Sequence, residues 1–104
     1  MKQLEQRICY ENFARYLEKC GLTGKTLEHY PNAVDSYIPQ YIRKYIKPEF
    51  TSLYNLNAEE LKDIYEQLDK SHYWEQEIKY KTWKVRLKAL EYFISFVVEI
   101  NNGI

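Results

Sequence analysis

The 104-residue chain is 45% hydrophobic and 29% charged, and 15 basic and 15 acidic residues give it a formal net charge of zero. These values fit one globular domain over residues 1–104 and argue against a protein that coats nucleic acid through overall positive charge. With only 3 glycines and 3 prolines, the chain is too poor in turn residues for a β-rich fold or a disordered one.

The apolar runs of the sequence are short, and none reaches the ~18 residues of a membrane span. The start of the chain, Met1 to Gln6, is polar and does not resemble a signal peptide. We therefore expect a soluble, cytoplasmic protein without a membrane partner.

The first predicted helix extends from Gln6 to Cys20. Five residues at helical spacing form its apolar face: Cys9, Phe13, Tyr16, Leu17 and Cys20. Gly21 is expected to end this helix, because glycine is the usual residue just after a helix C-terminus.

The two cysteines lie on this apolar face, so we expect buried thiols. They are eleven residues apart, which is roughly 16 Å along a helix and too far for a disulfide. His29 and His72 add no recognisable metal-ligand spacing to the cysteines, and no metal site is predicted.

The second predicted helix begins after Thr23, a good N-cap whose hydroxyl can accept a backbone N–H. Pro31 lies too deep in this helix to be a first-turn residue and predicts a kink or break. Pro39 predicts a second disturbance, compatible with the start of a separate short helix, and Pro48 ends the region. A tyrosine stripe at i, i+4 and i+8 is expected at the rim of the core: Tyr37, Tyr41 and Tyr45.

A capping box opens the next helix, with Asn57 at the cap and Glu60 three residues later. This helix is predicted to end near Lys70, and its apolar face carries four residues: Leu61, Ile64, Tyr65 and Leu68. The segment from Ser71 to Glu75 is expected to be a loop or a helix entry.

The last and longest helix is predicted from Glu77 to Asn101. Its core face carries six residues: Trp83, Leu87, Leu90, Phe93, Ile94 and Val97. At 100° per residue, the opposite face carries three lysines: Lys81, Lys84 and Lys88. Arg86 falls at the centre of the apolar face, where a charge needs a partner. The whole pattern predicts an all-α fold.

Charge is unevenly distributed along the chain. From Lys79 to Lys88 there are five basic residues and no acid, whereas from Glu59 to Glu77 acids outnumber Lys and Arg seven to two. A basic patch is therefore compatible with zero net charge.

The triplet Gly24-Lys25-Thr26 matches the end of a Walker-type phosphate loop. That motif also requires a glycine at position 19, which is Lys19, and a preceding strand, whereas a helical pattern comes before it. We therefore expect no bound nucleotide and no cofactor.

Three motifs along the chain occur in an order typical of one known module. They are FARYLEKCGLTGKTLEHY at residues 13–30, LNAEELKDIYEQL at residues 56–68 and TWKVRLKALEYFISF at residues 82–96. Together they resemble the N-terminal core-binding domain of tyrosine recombinases, the phage-integrase family, over nearly the whole chain. Two features depart from that family: Pro31 and Pro39 inside the second helix, and a composition less basic than usual.

The resemblance implies a compact SAM-like bundle of four or five helices that clamps duplex DNA while a separate domain performs the chemistry. Because the chain ends at Ile104, where that catalytic domain would begin, we expect a non-enzymatic module, either excised from a longer prokaryotic protein or standing alone. The DNA-facing positions of the module map best onto Lys25, Thr26, Lys81, Thr82 and Lys84. The start of the second helix adds Thr23 and the lysine stripe adds Lys88, and we expect mainly phosphate contacts.

Other functions also fit the sequence. One is a helical protein-interaction module that docks a partner or a second copy through the tyrosine stripe or the apolar end of the last helix. Another is an accessory DNA-binding domain of a nuclease. The DNA interpretation predicts that Lys25 and the three lysines of the last helix line one concave positive face, with the acids of residues 59–77 turned away.

Overall fold

The computed structural model describes residues 8–76 and 78–102. The described part contains five α-helices: α1 Tyr10–Lys19, α2 Lys25–Asn32, α3 Ile38–Tyr45, α4 Ala58–Lys70 and α5 Tyr80–Asn102. A π-helical turn, Ala33–Tyr37, joins α2 to α3, and two 3₁₀ turns, Leu53–Asn55 and Tyr73–Gln76, precede α4 and α5. No strand occurs within these described ranges, and the predicted all-α fold is confirmed.

The end of α1 is built as predicted. Gly21 has a φ of +91°, in the left-handed region where a side chain would be strained. Its N–H donates to the Glu18 carbonyl at 3.0 Å, and the Leu22 N–H donates to the Leu17 carbonyl at 3.2 Å. These two bonds form a Schellman motif, which turns the chain sharply toward α2. The predicted start of α1 at Gln6 lies outside the described residues.

The start of α2 differs from the prediction. The N-cap is Gly24, with a φ of +64°, and no side chain donates to or accepts from the cap. The prediction that Thr23 caps this helix is wrong, because the chain enters α2 through a backbone conformation suited to glycine. The helix therefore begins one residue later, with Thr23 outside it.

The two prolines of the second region are accommodated without a break. Helical backbone runs continuously from α2 through the π turn into α3, forming one rod. The predicted disturbance lies after Pro31, where the Ile38 N–H donates to the Ala33 carbonyl five residues back. Pro39 has no N–H and its ring crowds the carbonyl of Asp35, so a wider π turn before it relieves both problems. Pro39 lies in the first turn of α3.

The core forms around α5, so that the described part is a bundle of four rods. Eight α5 side chains are buried: Trp83, Leu87, Ala89, Leu90, Phe93, Phe96, Val97 and Ile100. Phe93 packs edge-to-face on Phe13 of α1, with ring centroids 5.2 Å apart. The predicted core face of α5 is confirmed except that Ile94 is half-buried. The helix begins at Tyr80, later than predicted; Glu77 lies outside the described residues.

The helix α4 follows its sequence signals closely. Asn57 Oδ1 accepts the Glu60 N–H at 2.8 Å, and Glu60 Oε1 accepts the Asn57 N–H at 3.0 Å. The capping box and the end at Lys70 are therefore confirmed. Leu61 and Leu68 are fully buried, which fixes α4 against the core.

The cysteines are both free thiols, as the predicted separation requires. Cys9 is half-buried and Cys20 is exposed, so the prediction of two buried thiols is wrong. Cys20 is the C-cap residue of α1, where the helix has already passed beyond the core and its neighbours Glu18 and Lys19 also face solvent.

Candidate nucleic-acid interface

The first half of α5 carries exposed positive charge. Lys81, Lys84 and Lys88, which we call the lysine face, are all exposed, as is Lys79 just before the helix. Among the described residues no carboxylate forms an ion pair with any of these four lysines. The Lys84 ammonium lies 5.8 Å from the ring centroid of Tyr80.

A groove lies beside the lysine face, between the first half of α5 and the rod that contains α2 and the π turn. We call it the α2–α5 groove; its cavity has a volume of about 290 Å³. Its walls come from both elements: Glu28, His29, Asn32, Ala33 and Tyr37 on one side, and Thr82, Val85 and Arg86 on the other.

Arg86 finds its partner in this groove. Its guanidinium carbon lies 4.4 Å from the ring centroid of Tyr37, a close cation–π contact. The sequence indicated that a charge on the apolar face needs a partner, and an aromatic ring supplies one. Arg86 is half-buried, while Tyr37 stays 45% exposed, so the stacked pair forms part of the molecular surface.

The predicted DNA-facing residues fall into two groups. Lys25 and Thr26 occupy the first turn of α2, with Lys25 exposed and Thr26 half-buried. Thr82 lines the α2–α5 groove, and the lysine face lies on the neighbouring side of α5. Thr23 is exposed outside the helix. Glu28, one turn after Lys25, connects the α2 start to the groove.

The prediction that the lysines line a concave face is wrong. The α2–α5 groove is the concave surface next to the lysines, and its lining includes Arg86 rather than a lysine. The lysines lie opposite Trp83, on the outward side of α5, since helical periodicity separates them from the buried face. They therefore form a ridge beside the groove.

Acids adjoin the C-terminal end of this ridge. Lys88 shares a shallow depression with Glu91, and Glu91 lines a second depression together with Lys62 and Glu66 of α4. The acids of α4 are therefore close to the C-terminal end of the lysine face, contrary to the expected separation, because α4 packs along α5. The positive surface is centred on Lys81 and Lys84.

The tyrosine stripe divides into two kinds of residue. Tyr41 is buried, its hydroxyl lies 2.7 Å from Ser71 Oγ, and its ring centroid is 4.7 Å from that of Trp83. Tyr45 packs on Tyr41 at 4.9 Å. The predicted rim position is confirmed for Tyr45, whereas Tyr41 belongs to the core, and neither offers an open docking face.

The apolar end of α5 is also occupied by the chain's own core. Phe96, Val97 and Ile100 are buried, and Phe96 packs on Tyr16 of α1 with ring centroids 5.4 Å apart. Three of its apolar residues are therefore covered within a single copy of the chain.

Raised pKa values occur at several tyrosines of the described structure. Burial, followed by contact with Cys20, raises the pKa of Tyr16 to about 12. Burial also raises the pKa of Tyr54, together with the nearby Asp35 carboxylate, which accepts the Tyr54 hydroxyl proton at 3.1 Å. The pKa values of Tyr30 and Tyr65 rise mainly through burial as well. Each shift favours the neutral phenol, which is a poor nucleophile.

Sequence reasoning missed one wall of the groove. Glu28 and Asn32 are four residues apart and so share a helix face, which is a signal present in the sequence. Their position opposite Thr82 and Arg86 depends on how the rod packs against α5, and no local pattern encodes that packing.

The described residues hold no group of three or more His, Cys, Asp or Glu side chains that could share a metal ion. Among the described helices, none combines the length and the apolar composition that crossing a membrane requires. Comparison with protein-family models, curated proteins and solved structures finds no match for the chain.

Proposed function

We propose that the chain is a non-catalytic DNA-binding module that holds duplex DNA mainly through phosphate contacts. The observation that carries the proposal is the set of four exposed lysines at the start of α5, none paired with a carboxylate of residues 8–76 or 78–102, adjoining the groove that contains Thr82 and Arg86. Lysine ammonium groups and hydroxyls are the usual contacts of DNA phosphates. The three motifs that resemble the recombinase core-binding domain support the same role, in a prokaryotic cytoplasmic protein.

The dimensions of the lysine face suit a DNA backbone. Lys81 and Lys88 are seven residues apart, so their Cα atoms are separated by about 10 Å along the helix. That distance corresponds to about three base-pair steps of B-DNA. Lys25, at the exposed start of α2, would add a further contact, where free N–H groups also favour an anion.

Binding through three or four phosphates has a measurable salt dependence. Each neutralised phosphate releases counterions, so that affinity for a random duplex should fall about 40- to 150-fold between about 50 and about 200 mM salt. Fluorescence anisotropy with a short labelled duplex measures this fall directly.

Two matched double variants make the same change in charge on two different helices. Lys81→Glu/Lys84→Glu should abolish most binding and flatten the salt dependence, because it reverses the centre of the positive surface. Lys62→Glu/Lys70→Glu makes the same change in charge at two exposed lysines of α4 and should weaken binding much less. Equal losses in the two variants would contradict a specific interface on α5.

A second candidate function is a protein-interaction module, favoured by an apolar cavity between α3 and α4. The cavity has a volume of about 250 Å³, its apolar lining includes Ile42, Ile46 and Ile64, and its rim includes the acids Glu60 and Asp63. A folded protein that binds no duplex at low salt would favour this candidate. The DNA-binding role itself suits the accessory domain of a recombinase or of a nuclease.

A further inference from the structure

The α2–α5 groove presents an aromatic surface to solvent. The Tyr37 ring is 45% exposed although the Arg86 guanidinium covers part of it at 4.4 Å. Val85, on the opposite wall, is 41% exposed. An accessible ring backed by a guanidinium and faced by an aliphatic side chain is the kind of surface on which nucleobases stack.

The polar groups of the groove suit a base better than a phosphate. Glu28 lines the groove, and its carboxylate would repel a phosphate but can accept a hydrogen bond from the amino group of a base. The Arg86 charge is already engaged with the Tyr37 ring. Thr82 and Asn32 add further polar groups to the walls, and the Tyr10 hydroxyl donates to Asn32 Oδ1 at 3.0 Å, which holds that side chain in place.

We infer that the α2–α5 groove binds one unpaired nucleobase of the DNA that the lysine face holds, stacked on Tyr37 with its amino group donating to Glu28. This inference rests on the proposed DNA-binding function and specifies its substrate as duplex DNA with an extrahelical base or a short unpaired stretch. A carboxylate acceptor favours cytosine, whose N4 amino group is a donor, over thymine, which carries O4 at the same position.

The test compares two labelled duplexes of identical sequence, one intact and one with a single unpaired cytosine at its centre. Wild-type protein should bind the second duplex about 5- to 20-fold more tightly. This factor lies in the lower part of the range expected when one base stacks on an aromatic ring. Tyr37→Ala should remove this preference while binding the intact duplex as wild type does. Tyr37→Phe should keep the preference, because stacking requires the ring and not the hydroxyl.

Three further variants separate the groove from its surroundings. Tyr80→Ala removes another exposed aromatic ring near the lysines and should leave the preference unchanged. Glu28→Gln should reduce the discrimination between an unpaired cytosine and an unpaired thymine, whereas Glu18→Gln, at an exposed carboxylate of α1, should not.

The outcomes distinguish this inference from the proposed function. Equal wild-type affinity for the two duplexes, with steep salt dependence, would overturn the base site alone. An equal loss on both duplexes in Tyr37→Ala would also overturn it, since Tyr37 would then contact the duplex. Unchanged binding in Lys81→Glu/Lys84→Glu would overturn the phosphate interface on α5. If the folded protein bound neither duplex, both proposals would fail and the groove would suit a protein segment better.

Discussion

The two halves of α5 differ in what they contact. Of the nine residues from Tyr80 to Lys88, only Trp83 and Leu87 are buried, and the lysine face is exposed. In the second half, from Ala89 to Asn102, six residues are buried. One continuous helix therefore combines a surface of exposed lysines and a segment that packs the core, and a rigid helix holds the two in fixed register.

The packed second half of α5 holds the exposed first half in a defined position, and the exposed lysines themselves have little effect on stability. Exposed lysines on an isolated helix contribute little to folding, so their positions depend on the half that is packed. The second half contacts α1 and the 3₁₀ turn before α4 through aromatic rings, with Phe93 at 5.2 Å from Phe13 and 5.7 Å from Tyr54. Substitutions in the two halves should consequently affect different measurements.

The largest effect is expected in the packed half. Phe93→Ala should reduce the free energy of unfolding by about 3–5 kcal/mol, because it removes a fully buried ring and leaves a cavity. Urea denaturation followed by circular dichroism measures the loss. Tyr80→Ala, in the exposed half, is the matched control and should cost less, about 0.5–1.5 kcal/mol, the value of the contact between its ring and that of Trp74, 5.4 Å away. Similar losses in both variants would contradict the division of α5.

The next effect concerns the exposed half and appears only in binding. Lys81→Ala should weaken duplex binding about tenfold at about 50 mM salt, the effect of losing one phosphate contact. Lys88→Ala should weaken it less, by about threefold, because Glu91 beside Lys88 already offsets part of its charge. Anisotropy titration measures both, and unchanged unfolding midpoints would show that the fold is intact. A larger loss in Lys88→Ala would place the interface nearer to α4.

Local signals predicted α4 well because they act within a few residues. The capping bonds between Asn57 and Glu60 and the buried positions of Leu61 and Leu68 require only helical spacing. The all-α class and the core face of α5 follow from the same periodicity. These features could therefore be predicted from the sequence.

The rod from Lys25 to Tyr45 was harder to predict, because a proline inside a helical pattern does not show whether the helix continues beyond it. Pro31 indicates a break, but helical backbone continues past it, and the irregular turn lies directly before Pro39. The groove follows from that rod: Tyr37 is the last residue of the π turn, and its contact with Arg86 joins elements distant in sequence. Neither the ring's partner nor the cavity could be predicted from helical spacing alone.

The pH dependence of stability should report on the packed half. Burial raises the pKa of Tyr16, which packs on Phe96, from its ordinary value of 10.0 to about 12. The folded state therefore binds this proton more tightly than the unfolded state, and the stabilisation is fully present below pH 10 and is lost as the pH rises toward about 12. Urea denaturation at increasing pH should show this decline, and Tyr16→Phe should make it shallower.

The matched control for this measurement is Tyr80→Phe, at an exposed tyrosine of the other half, which should leave the slope with pH unchanged. The pKa of Tyr54 is raised as well, so the slope in Tyr16→Phe should decrease without disappearing. A slope unaffected by Tyr16→Phe would show that the Tyr16 proton does not contribute to folding.

The smallest effect is expected where the exposed half meets the rod. Tyr37→Ala should reduce the free energy of unfolding by about 0.5–1 kcal/mol, the value of one exposed cation–π contact. Tyr45→Ala should cost more, because the half-buried Tyr45 ring packs on Tyr41 within 4.9 Å. Urea denaturation of both variants tests which of the two losses in free energy of unfolding is larger.

A loss in Tyr37→Ala above about 2 kcal/mol, well beyond that of a surface substitution, would mean that the Arg86–Tyr37 pair supports the fold itself. The groove would then be a structural junction, and the exposed half of α5 would depend on the rod as much as on its own packed half.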